Sequence, residues 1–186
     1  MTGLIILAII VAVAGYAVFI YNNLVSTRQL TKEGWSGIDV QLKRRTDLIP
    51  NLLETVKGYM GHERETLQAV TDARAAAQAG TNASPGERSA LEGALSGALG
   101  RLIAVAEAYP DLKANTTFLE FQQALRGVED EIQMARRYYN GTARNMNVAV
   151  ESFPSNLVAN MFKFESVEYF ELENEADRAV PQVKFN

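Results

Sequence analysis

GLIILAIIVAVAGYAVFIY, residues 3–21, contains no charged side chain, and the first Lys or Arg of the chain is Arg28. About 19 helical residues at 1.5 Å each cross the hydrocarbon core of a bilayer, whereas the apolar part of a cleavable signal runs to only about 7–15. A secretory signal also carries Lys or Arg ahead of its apolar run, and here only Met1 and Thr2 precede it. Ala12-Val13-Ala14 looks like a cleavage site but lies in mid-run, so the segment is predicted to remain as a transmembrane anchor.

Arg28 and Lys32, followed by Lys43, Arg44 and Arg45, all lie on the C-terminal side of that run. The positive-inside bias then predicts an external N-terminus and a cytoplasmic remainder, with Tyr16 and Tyr21 as candidate interfacial anchors. Within the anchor, Ala8, Ala12 and Gly15 share one helical stripe, where small side chains permit self-association. The remaining chain of about 160 residues is enough for one domain with its own core. A net charge of −4 gives no electrostatic footprint for nucleic acid. With no cysteine, disulfides, thiolate nucleophiles, thiolate metal sites and lipidated cysteines are excluded.

From Trp35 the apolar residues Ile38, Leu42, Ile49, Leu52, Val56 and Tyr59, then Val70, Ala73 and Ala77, recur at helical steps. They predict one long amphipathic helix from Thr31 to Gln78, kinked near Thr46–Pro50 because Pro50 removes a ladder hydrogen bond, and stopped at Gly80-Thr81-Asn82. Ser84-Pro85-Gly86-Glu87 has the form of a capping box, so a second helix starts there. Its expected buried face is Leu91, Leu95, Ala98, Leu102, Val105 and Tyr109, with Pro110-Asp111 ending it; Gly93, Gly97 and Gly100 beside that stripe permit close helix approach.

Thr117 with Glu120 reads as another capping box. Behind it Phe121, Leu125, Val128, Ile132, Ala135 and Tyr139 form a coiled-coil-like seam on a helix reaching about Val150. The opposite face, Arg126, Glu129, Asp130, Gln133, Arg137 and Asn140, is expected to be solvated. Phe153-Pro154-Ser155 breaks the helix, with Ser155 as cap of a short helix over Asn156–Phe162. Beyond Phe164 the chain is acidic with interspersed aromatics, which predicts an extended segment partly docked on the bundle.

Catalytic signatures are missing. His62-Glu63 starts like a metalloprotease helix, but Thr66 stands where the second His belongs, and a di-iron site needs two Glu-x-x-His pairs where only one His exists. No phosphate loop, nucleophile elbow or dinucleotide fingerprint occurs, and nothing pairs Glu63 or Glu131 for carboxylate chemistry. No catalytic residue, cofactor or metal is therefore assigned. Arg45 is the anomaly, since it occupies an apolar position of the first stripe. A guanidinium there needs an acidic partner, for which Asp130 and Glu131 are the candidates, or must snorkel to solvent.

YNNLV after the apolar run, GWSGIDVQLKRRTDLIPNLLETVKGYMGHE, ARRYYNGTARNMN, FPSNLVANMFKF and the terminal VPQVKF together resemble the LemA family of bacterial membrane proteins. The resemblance spans the chain from the anchor to the C-terminus. It implies an all-α protein, with an N-terminal transmembrane helix whose amino end lies outside, followed by an antiparallel four-helix bundle in the cytoplasm. The expected divisions are 1–27 for anchor and juxtamembrane segment, 28–164 for the bundle and 165–186 for an extended acidic tail. It implies no established enzymatic activity, and family relatives associated with magnetosome membranes suggest membrane organisation. The expected function is a non-enzymatic scaffold that self-assembles as a homo-oligomer at the bacterial inner membrane, its partners being the lipid bilayer and further copies. The alternative is an accessory or sensor subunit that docks on and regulates a membrane protein partner.

Overall fold

The computed structural model describes residues 1–61 and 63–171, and among these every regular element is a helix. In chain order they are α1 (Thr2–Lys57), α2 (Arg64–Ala79), a single 3₁₀ turn (Gly80–Asn82), α3 (Pro85–Ala106), α4 (Pro110–Lys113), α5 (Thr116–Glu151) and α6 (Ser155–Met161). The chain divides into two compact units. Met1–Gly37 and Arg137–Tyr169 form the first; Ile38–Arg136 forms the second, joined by Phe170 and Glu171. α1 passes through residue 27 without interruption.

In the first unit α1 and α5 run antiparallel, since Ile20 and Leu24 share a core with Met146, whereas Trp35 lies 5.3 Å from Tyr139 ring to ring. The backbones approach closely at Gly34, where an added Cβ would stand 3.1 Å from the Cα of Tyr139. α6 packs Val158 and Ala159 against Ile20 and Leu24. Its last turn closes in a Schellman motif: the Phe164 amide donates to Ala159 O at 2.9 Å and the Lys163 amide to Asn160 O at 3.4 Å. Lys163 takes the left-handed conformation this motif requires, with φ of 55°. Phe164 is thereby turned back onto Tyr21, at 5.8 Å between ring centroids. Ser155 does not cap α6; its hydroxyl donates to Ser152 O, and Pro154 holds the cap position.

In the second unit the expected helix over Thr31–Gln78 is two helices. α1 continues through Pro50 to Lys57 and the next helix starts at Arg64; Gly58 and Gly61 follow the end of α1, and each weakens a helix by about 1 kcal/mol relative to Ala. Pro50 has no amide to donate to the carbonyl of Thr46, and that oxygen instead accepts from Arg74 Nε of α2 at 3.1 Å. The capping box of α3 forms as expected, with Glu87 N donating to Ser84 Oγ at 3.4 Å and Ser84 N to Glu87 Oε2 at 3.1 Å. α5 is capped by Asn115, whose Oδ1 accepts from Phe118 N at 3.0 Å, and not by Thr117, which lies one residue inside the helix. α3 ends at Ala106, ahead of the expected Pro110-Asp111, and Pro110 opens the short α4.

The buried residues of α3 are Arg88, Ser89, Glu92, Leu95, Leu99, Leu102 and Ala106, so of the expected face Leu95 and Leu102 are buried while Leu91, Ala98, Val105 and Tyr109 are only half-buried. The seam of α5 holds, with Phe118, Leu125, Val128, Ile132, Tyr139 and Met146 buried, Phe121 and Ala135 being half-buried. A Cβ added at Gly93, Gly97 or Gly100 would meet nothing within 4 Å, so these glycines serve no close approach among the described residues.

Of the acidic segment, residues 165–171 are described and are not helical. The Asn147 amide brackets Val167, accepting from its N–H at 2.8 Å and donating to its carbonyl at 3.0 Å. Residues 172–186 of the expected tail, and His62, lie outside the described residues.

Lys163→Gly is expected to stabilise the protein by about 0.5–1 kcal/mol, because glycine adopts the left-handed conformation without a Cβ penalty. Urea unfolding of the detergent-solubilised chain followed by far-UV circular dichroism checks the sign.

Candidate functional site

Arg45 of α1 is fully buried in the second unit and is held by two neighbouring helices, α3 and α5. It enters from α1 at a position seven residues from Ile38 and seven from Leu52, both buried, so the heptad that builds the core also inserts the charge. Its Nη2 meets Glu92 Oε2 of α3 at 2.5 Å and Glu92 O at 3.2 Å; its Nη1 meets Glu129 Oε1 of α5 at 2.5 Å and Ser96 Oγ at 2.6 Å. Arg88, one turn before Glu92, approaches Glu92 Oε1 at 2.9 Å, an ionic contact without hydrogen-bond alignment. Arg88 also donates to Ala77 O at 3.0 Å, in the last turn of α2 where carbonyls lack helical partners.

The cluster is two guanidiniums and two carboxylates, hence neutral as a whole. Glu92 is fully buried with a guanidinium on each oxygen, while the Glu129 side chain keeps 37% of its exposure. The predicted partners Asp130 and Glu131 are both exposed and are not joined to Arg45. Glu129 was expected on the solvated face, yet it is the residue of α5 that turns toward Arg45. Half-buried Asp39 lies near Arg88 as well; burial raises its carboxyl above the ordinary range, and the Arg88 charge opposes that shift.

Glu129 and Ser96 also line a groove of about 1000 Å³ in this unit, walled by Ala69, Ala73, Gly93, Gly97, Arg101 and Gln133. Ala8, Ala12 and Gly15 are exposed on α1, and a Cβ at Gly15 would meet nothing within 4 Å. Glu63 accepts from the Tyr109 hydroxyl at 3.2 Å.

A second polar site lies in the first unit, where the Tyr139 hydroxyl donates to Glu168 O at 2.8 Å. Burial pushes this phenol up to about 12, with the negative charge of Glu168 adding to the shift.

Glu92→Gln leaves Arg45 and Arg88 with one carboxylate between them and is expected to cost about 3 kcal/mol or more in denaturant unfolding; Asp130→Ala and Glu131→Ala are expected to stay within about 0.5 kcal/mol. For Tyr139, the folded value lies above the unfolded value of about 10, so its contribution to stability is complete below pH 10 and is lost as pH rises toward 12. Tyr139→Phe is expected to remove that part of the alkaline loss of stability, together with a phenolate absorbance step near pH 12.

The LemA family profile matches residues 34–185. Protein LemA of Metamycoplasma hominis is 30% identical over 163 residues, covering 84% of this chain and 73% of the relative. Magnetosome protein MamQ 2 of Paramagnetospirillum magneticum is 26% identical over 206 aligned positions, covering 96% and 75%. Magnetosome protein MamQ of Magnetospirillum gryphiswaldense is 26% identical over 189, covering 88% and 70%. The profile takes in the whole region that carries Arg45, Glu92 and Glu129, and the chain belongs to the LemA family.

Proposed function

We propose that this protein is a non-enzymatic scaffold, anchored in the bacterial inner membrane by one helix, with its N-terminus outside and its bundle in the cytoplasm, and that it assembles with further copies of itself. The observation that carries this is α1: a single helix begins as a charge-free run with exposed Leu4, Ile5, Ile9, Val13 and Phe19 and continues, unbroken, into buried core positions. α3 is also long and apolar enough to cross a membrane, but it packs against α2 and holds Arg88 and Glu92, which favours a bundle helix. The family and the matched relatives do not bear enzyme names, and relatives named as magnetosome proteins support a membrane setting. Assembly follows from tethering: parallel anchors confine the chains to a plane and raise their effective concentration, so modest contacts suffice.

A cysteine placed at Thr2 is expected to react with an impermeant reagent added to intact cells, and one at Gln29 to be shielded. The reverse pattern overturns the orientation. Gly15→Leu is expected to lower the mass of the detergent-solubilised assembly. An intact protein that is monomeric both in mild detergent and in native membranes removes self-assembly and leaves docking on a different membrane protein.

A further inference from the structure

α6 presents its apolar side chains on the wrong face for a soluble domain. Val158 and Ala159 are buried against α1, yet Leu157 and Met161, one turn apart, are 59% and 76% exposed, and the flanking Phe153 and Phe162 are 79% and 53% exposed. Four large, exposed apolar side chains within ten residues are a concentration of the kind that soluble surfaces avoid. Its position says what covers it. α6 packs laterally on Ile20, which lies inside the charge-free run, and the Phe162 ring is 4.7 Å from that of Tyr21, the last residue of the run. An element that touches the anchoring helix at this level lies at the depth where a bilayer ends.

The charges are arranged to match. Arg28, two turns and about 10 Å beyond Tyr21 along α1, stands over the Phe164 ring at 4.8 Å, and Arg28, Lys32 and Lys163 line one cavity with Glu165 as its single carboxylate. Apolar side chains at the acyl boundary with cations one step farther out is the order in which an interfacial segment meets an anionic phospholipid surface.

We infer that Phe153, Leu157, Met161 and Phe162 form a second membrane contact, an interfacial foot that inserts into the headgroup region beside the anchor, with Arg28, Lys32 and Lys163 on the lipid phosphates. This rests on the reading of residues 3–21 as a transmembrane segment. It adds that the cytoplasmic end of the anchor is clasped by a segment more than 130 residues later in the chain, which is itself in the membrane surface.

The absence of cysteine permits a direct test. Full-length protein carrying one environment-sensitive fluorophore at Leu157→Cys, Met161→Cys, Ile10→Cys or Arg137→Cys is reconstituted into vesicles of phosphatidylcholine and phosphatidylglycerol doped with nitroxide lipids. Labels at 157 and 161 are expected to lose about two-fold or more of their emission to a nitroxide near the headgroup, the label at 10 to respond to a deep nitroxide, and the label at 137 to neither. Quenching at 10 with labels at 157 and 161 behaving like that at 137 overturns the foot and leaves the anchor standing. Blue-shifted labels at 157 and 161 that lipid nitroxides do not reach, and that respond to dilution of protein in lipid, mean that a second copy covers the patch, which also overturns it. No quenching at 10 removes the anchor and the foot together. Replacing phosphatidylglycerol by phosphatidylcholine is expected to weaken quenching at 157 and 161, and equal quenching in both lipids overturns the role given to the three cations.

Discussion

A guanidinium with no exposed surface at position 45 has to be neutralised within the bundle, and the helices of the second unit are arranged around that requirement. Desolvating Arg45, Arg88 and Glu92 costs about as much as their attraction returns, so the cluster adds little net stability compared with a well-packed apolar core. Its leverage is on the alternatives. Sliding α3 or α5 by one position along α1 moves Glu92 or Glu129 away and takes from Arg45 one of its two carboxylates, at a cost of about 3 kcal/mol. Apolar seams alone tolerate such slips far better, because one Leu replaces another. Three helices meeting on one side chain, with Ser96 and the Glu92 carbonyl taking further donors, therefore define the register that the rest of the packing fills.

Much of that register can be seen in the chain as intervals of seven. Leu24, Thr31, Ile38, Arg45 and Leu52 of α1 are all buried, and so are Phe118, Leu125, Ile132, Tyr139 and Met146 of α5. The seam of α5 is legible because its members are apolar throughout. α3 is harder to phase for the opposite reason: apart from Ser89, its buried positions Arg88, Glu92, Leu95, Leu99, Leu102 and Ala106 are spaced 4-3-4-3-4, but the first two are charged. Hydrophobicity alone skips them and settles on Leu91 and Ala98. The signal that recovers the phase is the anomaly already visible in α1, since one buried guanidinium calls for buried carboxylates at heptad positions of its neighbours. Glu129 is a different case; it flanks the seam, and only the reach of Arg45 distinguishes it from Asp130 and Glu131.

Helix ends divide along similar lines. The capping box at Ser84 is local chemistry and forms as written, whereas at the start of α5 Asn115 and Thr117 both offer an N-cap side chain, and the preceding turn of α4 selects Asn115. Pro50 illustrates a tertiary solution that no local pattern contains. The carbonyl it orphans is satisfied by Arg74, twenty-eight residues away, and the helix runs on through Pro50 to Lys57, ending short of the expected Gln78 where Gly58 and Gly61 weaken it.

The non-helical stretch after α6 completes the argument about backbone accounting. Its composition, Glu165, Glu168 and Glu171 with no cation between Lys163 and Arg178, suggests a segment held by charge. The contacts are of another kind. Phe164 and Phe170 are buried; between them the Asn147 amide reproduces both hydrogen bonds of a strand partner on Val167 and the Tyr139 hydroxyl donates to the carbonyl of Glu168, and just beyond them the Ser89 hydroxyl donates to the carbonyl of Glu171. An irregular chain can lie against helices only if its amides and carbonyls find partners, because α-helical neighbours have none of their own to spare. Side chains of Asn, Tyr and Ser supply them here, while Glu165 and Glu168 remain exposed. The acidic side chains thus keep this segment's outer surface solvated, and its attachment comes from two aromatic side chains and a row of backbone hydrogen bonds that charge patterning could not reveal.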